Sequence, residues 1–84
     1  MSQREKLLKK FADNPSKIRY LDIKKILLLL GFENIPTQGS HVKWKHHGMS
    51  HDIVIPVHNN ECKNFYKEQV YKQIKELIKK YHEN

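Results

Sequence analysis

The stretch from His41 to Val57 limits the possible folds of this chain more than any other. Val42 and Trp44 alternate with His41, Lys43 and Lys45; after Gly48-Met49, Ile53, Ile55 and Val57 alternate with Asp52, Val54, Pro56 and His58. A period of two puts successive side chains on opposite faces of a strand. The pattern therefore predicts a hairpin of strands His41–His47 and His51–Val57, with Gly48-Met49 as a Gly-X type II′ turn. That turn sets a register: His47 opposite Ser50, Lys45 opposite Asp52, Trp44 opposite Ile53, Val42 opposite Ile55, His41 opposite Pro56. Apolar pairs fall on one face, polar or mixed pairs on the other. A slip of one residue would turn Trp44 toward water, so burial pins the pairing.

A lone hairpin cannot bury that apolar face, and the flanking sequence supplies cover. Ser2–Asp13 reads as an amphipathic helix with Leu7, Leu8 and Phe11 as its stripe, Ser2 as N-cap and Asn14-Pro15 as stop. Leu21–Leu30 reads as a second helix. It has Ile23, Ile26, Leu27 and Leu30 on its main face, Asp22 in its first turn and Gly31 at the C′ position. Leu28 and Leu29 widen its stripe, and the first helix is expected to pack there. Phe32–Gln38 is a weak strand; Pro36 cannot donate to a ladder, which places it at a sheet edge. From Lys63 to Tyr81, Tyr66, Val70, Ile74, Leu77, Ile78 and Tyr81 share one helical face, with lysines covering the rest and residues 82–84 as a fraying end. The order is α-α-β-β-β-α, an α+β class in which the terminal helices and the apolar sheet face share one core.

A chain of 84 residues suits one domain, 1–84, with 1–14 as an N-terminal helical extension and 20–81 as the core, and excludes an elaborate multi-domain enzyme. The longest apolar run, Ile26–Leu30, is far short of the ~20 residues of a membrane span, and the first residues lack the apolar segment of a secretory signal. The single cysteine, Cys62, excludes an internal disulfide framework and fits a reducing cytosol.

Sixteen Lys+Arg against nine Asp+Glu, net +7, favour a polyanionic partner: nucleic acid, an anionic membrane or an acidic protein. A solvated lysine surface has the same composition, so the histidines are more informative. Five of the six lie between positions 41 and 58, and only His82 lies outside. The hairpin face opposite Trp44 gathers His41, Lys43, Lys45 and His47 with Asp52, Val54 and His58. Imidazole exchanges protons near neutral pH, and ammonium groups hold phosphates. Together these are the parts of metal-free RNA cleavage: a base for the 2′-hydroxyl, cations for the phosphorane, and an acid for the leaving 5′-oxygen. DNA lacks that internal nucleophile.

Other readings compete with this one. An exposed histidine on a basic strand is often only a polar surface residue. His46, opposite His51 in the register with His47 adjacent, suggests a metal. A structural zinc takes four ligands, however; the strand turns His47 away and Cys62 is remote, so no metal or cofactor is expected. Cys62 precedes a helix, yet nothing in the sequence assigns it a base. Trp44, Tyr66 and Tyr81 lie on apolar faces, which favours core packing over base stacking.

Taken in order, Gly31-Phe32, Gly39-Ser40-His41, a strand ending Lys45-His46, a turn with Gly48, and Ile55-Pro56-Val57-His58 before a helix resemble the HicA toxin family over about Leu21 to Leu77. The resemblance implies a double-stranded-RNA-binding-like α-β-β-β-α fold with a three-stranded antiparallel sheet, here with an added N-terminal helix. It implies a ribosome-independent mRNA-cleaving toxin in the cytoplasm of a bacterium or archaeon, neutralised by a HicB-type antitoxin that covers the active site. It makes His41 the catalytic residue and puts Gly39 and Ser40 in the turn entering its strand, where backbone and phosphate approach closely. Two departures stand out. His47-Gly48-Met49-Ser50-His51 replaces a turn usually of Pro-Asp-Gly-Arg type, and Ser2–Asp13 extends beyond the minimal family, as a buttress or as antitoxin surface. The expected roles are His41 as general base or acid, Lys43 and Lys45 as phosphate contacts, and His58 or water as the second proton-transfer group. The rivals are a non-catalytic RNA-binding module of the same fold and an interaction domain that docks an acidic partner.

Overall fold

Ser2 caps the first helix as its sequence predicts: its hydroxyl accepts from the Glu5 backbone N–H at 3.2 Å, satisfying one of the donors a helix N-terminus leaves unpaired. In this computed structural model, which describes residues 2–83, helix α1 spans Gln3–Asp13. A short 3-10 turn at Pro15–Lys17 leads into α2, Tyr20–Leu29. That helix ends in a Schellman motif: Phe32 N–H donates to the Leu27 carbonyl at 2.9 Å and Gly31 N–H to that of Leu28 at 3.1 Å. Gly31 adopts φ +93°, which its lack of a Cβ permits.

Three strands follow: β1 (Glu33–Ile35), β2 (His41–Lys45) and β3 (Ile53–Pro56), antiparallel in the spatial order β1-β2-β3. β1 lies at an edge and stops short of Pro36, as a residue without an N–H requires. β2 and β3 pair as the alternation predicts, with His41, Val42 and Trp44 opposite Pro56, Ile55 and Ile53. One further bond, Val57 N–H to the Ser40 carbonyl at 2.8 Å, extends the ladder. Helix α3, Asn64–Glu83, closes the fold and continues two residues past the expected end at Tyr81. Residues 1 and 84, and the side chains of His82 and Glu83, where the expected fraying of 82–84 falls, lie outside the described residues. The layout is the expected α-β-β-β-α with an added N-terminal helix. Trp44, Ile53 and Ile55 form the sheet's share of the core, against Ile23, Ile26 and Leu27 of α2 and Val70, Ile74 and Ile78 of α3.

The structure corrects three expectations. The hairpin tip is not a two-residue type II′ turn: among the described residues the glycines with positive φ are Gly31 and Gly39, not Gly48, and type II′ needs a positive φ at its first central residue. Pairing stops at Trp44–Ile53, and the chain turns at His46–Met49, with Met49 N–H on the His46 carbonyl at 3.1 Å. Second, the surface expected to lie under α1 is only partly covered: Leu7 and Leu29 are partly buried against the core, but Leu28 stays 53% exposed, and α1 enters the core through Leu8 and Phe11, with the Phe11 ring edge-on to Tyr71 at 5.3 Å. Third, lysines do not simply coat α3. Lys67 is buried, because it stands three residues before Val70 on the apolar face.

Candidate functional site

β2 is the central strand, so its outward side chains lie in the middle of the exposed sheet face. His41, Lys43 and Lys45 project there, with Pro56 and Val54 opposite on β3 and Ile35 and Glu33 opposite on β1. His41 is exposed, and its ring has no hydrogen-bond or ionic partner among the described residues. Its backbone is better held. The Thr37 hydroxyl donates to the His41 carbonyl, and Gly39, in the turn with Ser40, takes φ +80°. No heavy atom lies within 4 Å of where a Cβ on Gly39 would sit. The glycine is thus required by conformation, and the space beside this backbone is open.

The cations of this face are partly neutralised. Lys43 Nζ lies 3.8 Å from Asp52 Oδ2, and Lys45 faces Glu33 across the ladder. The Lys43 and Asp52 side chains are both partly exposed to solvent, so their attraction is weak and exchangeable. Lys45, Glu33, Gly31 and His47 line a shallow hollow of about 140 Å³.

His58 reaches the same edge by a turn that sequence reading did not foresee. Asn59 and Asn60 have φ of 53° and 63°, and reciprocal bonds join His58 N–H to the Glu61 carbonyl (2.8 Å) and Glu61 N–H to that of His58 (2.9 Å). Two left-handed central residues make a type I′ turn, and asparagine tolerates that region better than other non-glycine residues; the Asn-Asn pair was the available signal. His58 lines a hollow of about 400 Å³ with Pro56, Glu61, Cys62, Lys63 and Tyr66. Since Pro56 pairs with His41, the two histidines flank one proline. No hydrogen bond joins their rings among the described residues.

Behind this hollow, one carboxylate oxygen ties three elements together. Glu61 Oε1 accepts from Tyr20 N–H at 3.2 Å and Cys62 N–H at 2.9 Å, and lies 3.0 Å from Lys67 Nζ. Tyr20 is the first residue of α2, so Glu61 supplies the anionic cap that Arg19, with no side-chain cap bond, does not. Partial burial works to raise the Glu61 pKa; the Cys62 N–H, the Lys67 ammonium and the Tyr20 N–H outweigh it and hold the carboxyl below its ordinary range. Burial pushes the Cys62 thiol up, Lys67 pulls it down and Glu61 pushes it up again, with a net rise. A thiol held protonated is a poor nucleophile. Burial likewise raises the Tyr20 phenol. Trp44 Nε1, beside it, closes no hydrogen bond of full geometry among the described residues.

His46 has a role that sequence reading missed. It is buried; its Nδ1 accepts from Gly48 N–H at 2.9 Å, and its Nε2 lies 3.0 Å from the Leu30 carbonyl. A ring nitrogen that accepts carries no proton, so the proton sits on Nε2 and is donated to Leu30. The ring packs on Phe32 at 4.7 Å and stacks on His47 at 4.5 Å. This explains the altered hairpin tip: His46 leaves the ladder to cap the carbonyl at the end of α2. It also joins two pieces of the motif in space, since Gly31-Phe32 and Lys45-His46 meet at this ring. With both nitrogens engaged, His46 does not face His51 and is not available to a metal. Among the described residues no three His, Cys, Asp or Glu side chains come together as a metal-holding group.

Comparison with known proteins gives one match. The family model described as the HicA toxin of bacterial toxin–antitoxin systems matches residues 21–76, about two thirds of the chain, from the first turn of α2 into α3. No curated protein and no solved structure matches. Among the described residues no helix is long and apolar enough to cross a membrane. The matched span holds Gly31-Phe32, the Gly39-Ser40-His41 turn, the His46 cap and His58, and on that match the chain belongs to the HicA toxin family.

Proposed function

We propose that the protein is an endoribonuclease toxin that cleaves mRNA with His41 as its acid/base group. One observation carries the reading: in a chain of this family, the imidazole of Gly39-Ser40-His41 stands free and exposed at the start of the central strand, on the open sheet face, while His46, five positions on, is locked inside. In the reaction, His41 takes the proton of a ribose 2′-hydroxyl, whose oxygen attacks the adjacent phosphorus. The bond from phosphorus to the 5′-oxygen breaks, and that oxygen is protonated by His58 or water, leaving a 2′,3′-cyclic phosphate and a 5′-hydroxyl. Lys45, and Lys43 once released from Asp52, hold the phosphate; Gly39 and Ser40 admit the backbone. No metal or cofactor takes part. Residues 1–84 act as one unit, with residues 1–14 as an extension packed on core 20–81. The partner is a HicB-type antitoxin that covers this face, and the setting is the cytoplasm.

The test is expression in a bacterial host without antitoxin. Wild type is expected to arrest growth and degrade mRNA; His41→Ala is expected to do neither, with an unchanged circular dichroism spectrum. Growth arrest and mRNA loss by His41→Ala equal to wild type would contradict the assignment. One observation favours a second reading, a non-catalytic RNA-binding module: no third group orients the His41 ring among the described residues, as catalytic bases usually require. That reading predicts salt-sensitive RNA binding that survives His41→Ala and no cleavage products from pure wild type.

A further inference from the structure

The hollow beside His58 has features that the proton-transfer scheme does not use. Its volume, about 400 Å³, falls within the ~300–1,000 Å³ of small-molecule sites. Its walls are largely apolar: the Pro56 ring, the protonated Cys62 thiol and the Tyr66 ring. Its charged members are unequal. Glu61 gives one oxygen to two N–H groups and the buried Lys67, whereas Lys63 is exposed and its ammonium has no ionic partner among the described residues. Phe65 lies outside that lining, against its Tyr66 member. The two rings meet edge to face at 5.3 Å and 82°, making an aromatic corner, and Phe65 is 64% exposed, more than any other large apolar side chain described. Through Pro56 the hollow adjoins His41.

We propose that this hollow seats an unpaired nucleobase next to the cleaved bond, stacked in the Tyr66–Phe65 corner with its phosphate on Lys63. The inference rests on the ribonuclease reading of the same edge and adds to it a base-binding subsite. Flat apolar walls suit a π-face rather than a phosphate alone, and stacking on aromatic side chains is how single-stranded RNA is commonly held. A duplex keeps its bases stacked and offers the corner nothing, so the subsite selects single-stranded substrate.

Phe65 is exposed enough that its replacement leaves the fold intact. Steady-state cleavage of a short single-stranded RNA by wild type, Phe65→Ala and Phe65→Trp tests the site. Alanine is expected to raise KM about 10-fold or more, as the loss of one stacked base does, with the change falling on KM rather than on kcat and tryptophan restoring it. The same RNA with an abasic nucleotide beside the cleaved bond should lose affinity for wild type by a similar factor and show no further loss with Phe65→Ala. A KM for Phe65→Ala within twofold of wild type overturns the subsite and leaves the nuclease reading standing. Equilibrium binding to His41→Ala and to His41→Ala/Phe65→Ala separates the two claims. Phe65-dependent binding without cleavage by wild type supports the subsite and removes the nuclease; no RNA binding at all removes both.

Discussion

His41 and His46 leave the same strand five positions apart, and their surroundings are opposite. His41 lies on the outward parity of β2, exposed and without a side-chain partner among the described residues. His46 lies on the inward parity, just past the last ladder pair, with both ring nitrogens bonded to backbone and rings packed on both sides. The difference teaches that histidine in a motif is not one signal. An imidazole that must exchange protons needs water and substrate at its nitrogens; one whose nitrogens satisfy a helix carbonyl and a turn N–H is held in one tautomer and serves architecture.

The sharpest way to break this contrast is to remove each ring in turn. His41→Ala should lower the rate of RNA cleavage by about 10²–10⁴-fold and shift the thermal midpoint little, since an exposed, unpartnered side chain contributes less than about 0.5 kcal/mol. His46→Ala should do the reverse in kind. It leaves a cavity and unpairs the Leu30 carbonyl and the Gly48 N–H, a loss of about 2–3 kcal/mol. For a domain of this size that lowers Tm by roughly 10–20 °C, measurable by calorimetry. A stable His46→Ala protein with no cleavage activity would reverse the assignment.

A smaller effect isolates the locked ring. A Cβ on Gly48 would sit 3.1 Å from His46 Nδ1, so Gly48→Ala should cost about 1 kcal/mol by displacing the imidazole. In the His46→Ala background that cost should vanish, a non-additivity read from denaturant melts of the four proteins. An equal cost in both backgrounds would mean that Gly48 acts through something other than the ring.

The smallest effect concerns the second lock, at Glu61. Its folded-state pKa is depressed, so the stability it contributes is present above its unfolded pKa and is lost as pH falls through the folded value. Melts should therefore show Tm declining below about pH 4.5, with a shallower decline in Glu61→Gln. Parallel curves for the two proteins would remove Glu61 from the account. The carboxylate is half-exposed, which keeps the effect modest.

The β2–β3 register was legible in the sequence because its alternation is local and its failure is severe: one slip exposes Trp44. The edge position of β1 was legible for a similar reason, since Pro36 cannot donate. Other features depend on partners far away in the chain. His46 reads as one more alternating strand residue until the end of α2 is brought against it, 16 positions back. Glu61 caps an N–H 41 positions away, and no local pattern announces that. Lys67 lies between. Its spacing from Val70 and Ile74 is that of the apolar face, yet the sequence reading left it among the covering lysines, and a lysine there is unexpected until Glu61 is found within 3.0 Å. His41, the leading candidate on the face, needed only strand parity and the resemblance at Gly39-Ser40-His41 to be singled out. The hollow beside His58 depends on the Asn59-Asn60 turn, whose geometry emerged only with the backbone.

The most direct test of the account is the cleavage rate of a single-stranded RNA by purified, folded His41→Ala beside wild type, with product ends identified by mass. The account predicts 2′,3′-cyclic phosphate ends from wild type and a loss of at least about 100-fold in the variant. A variant rate within a few-fold of wild type would contradict it.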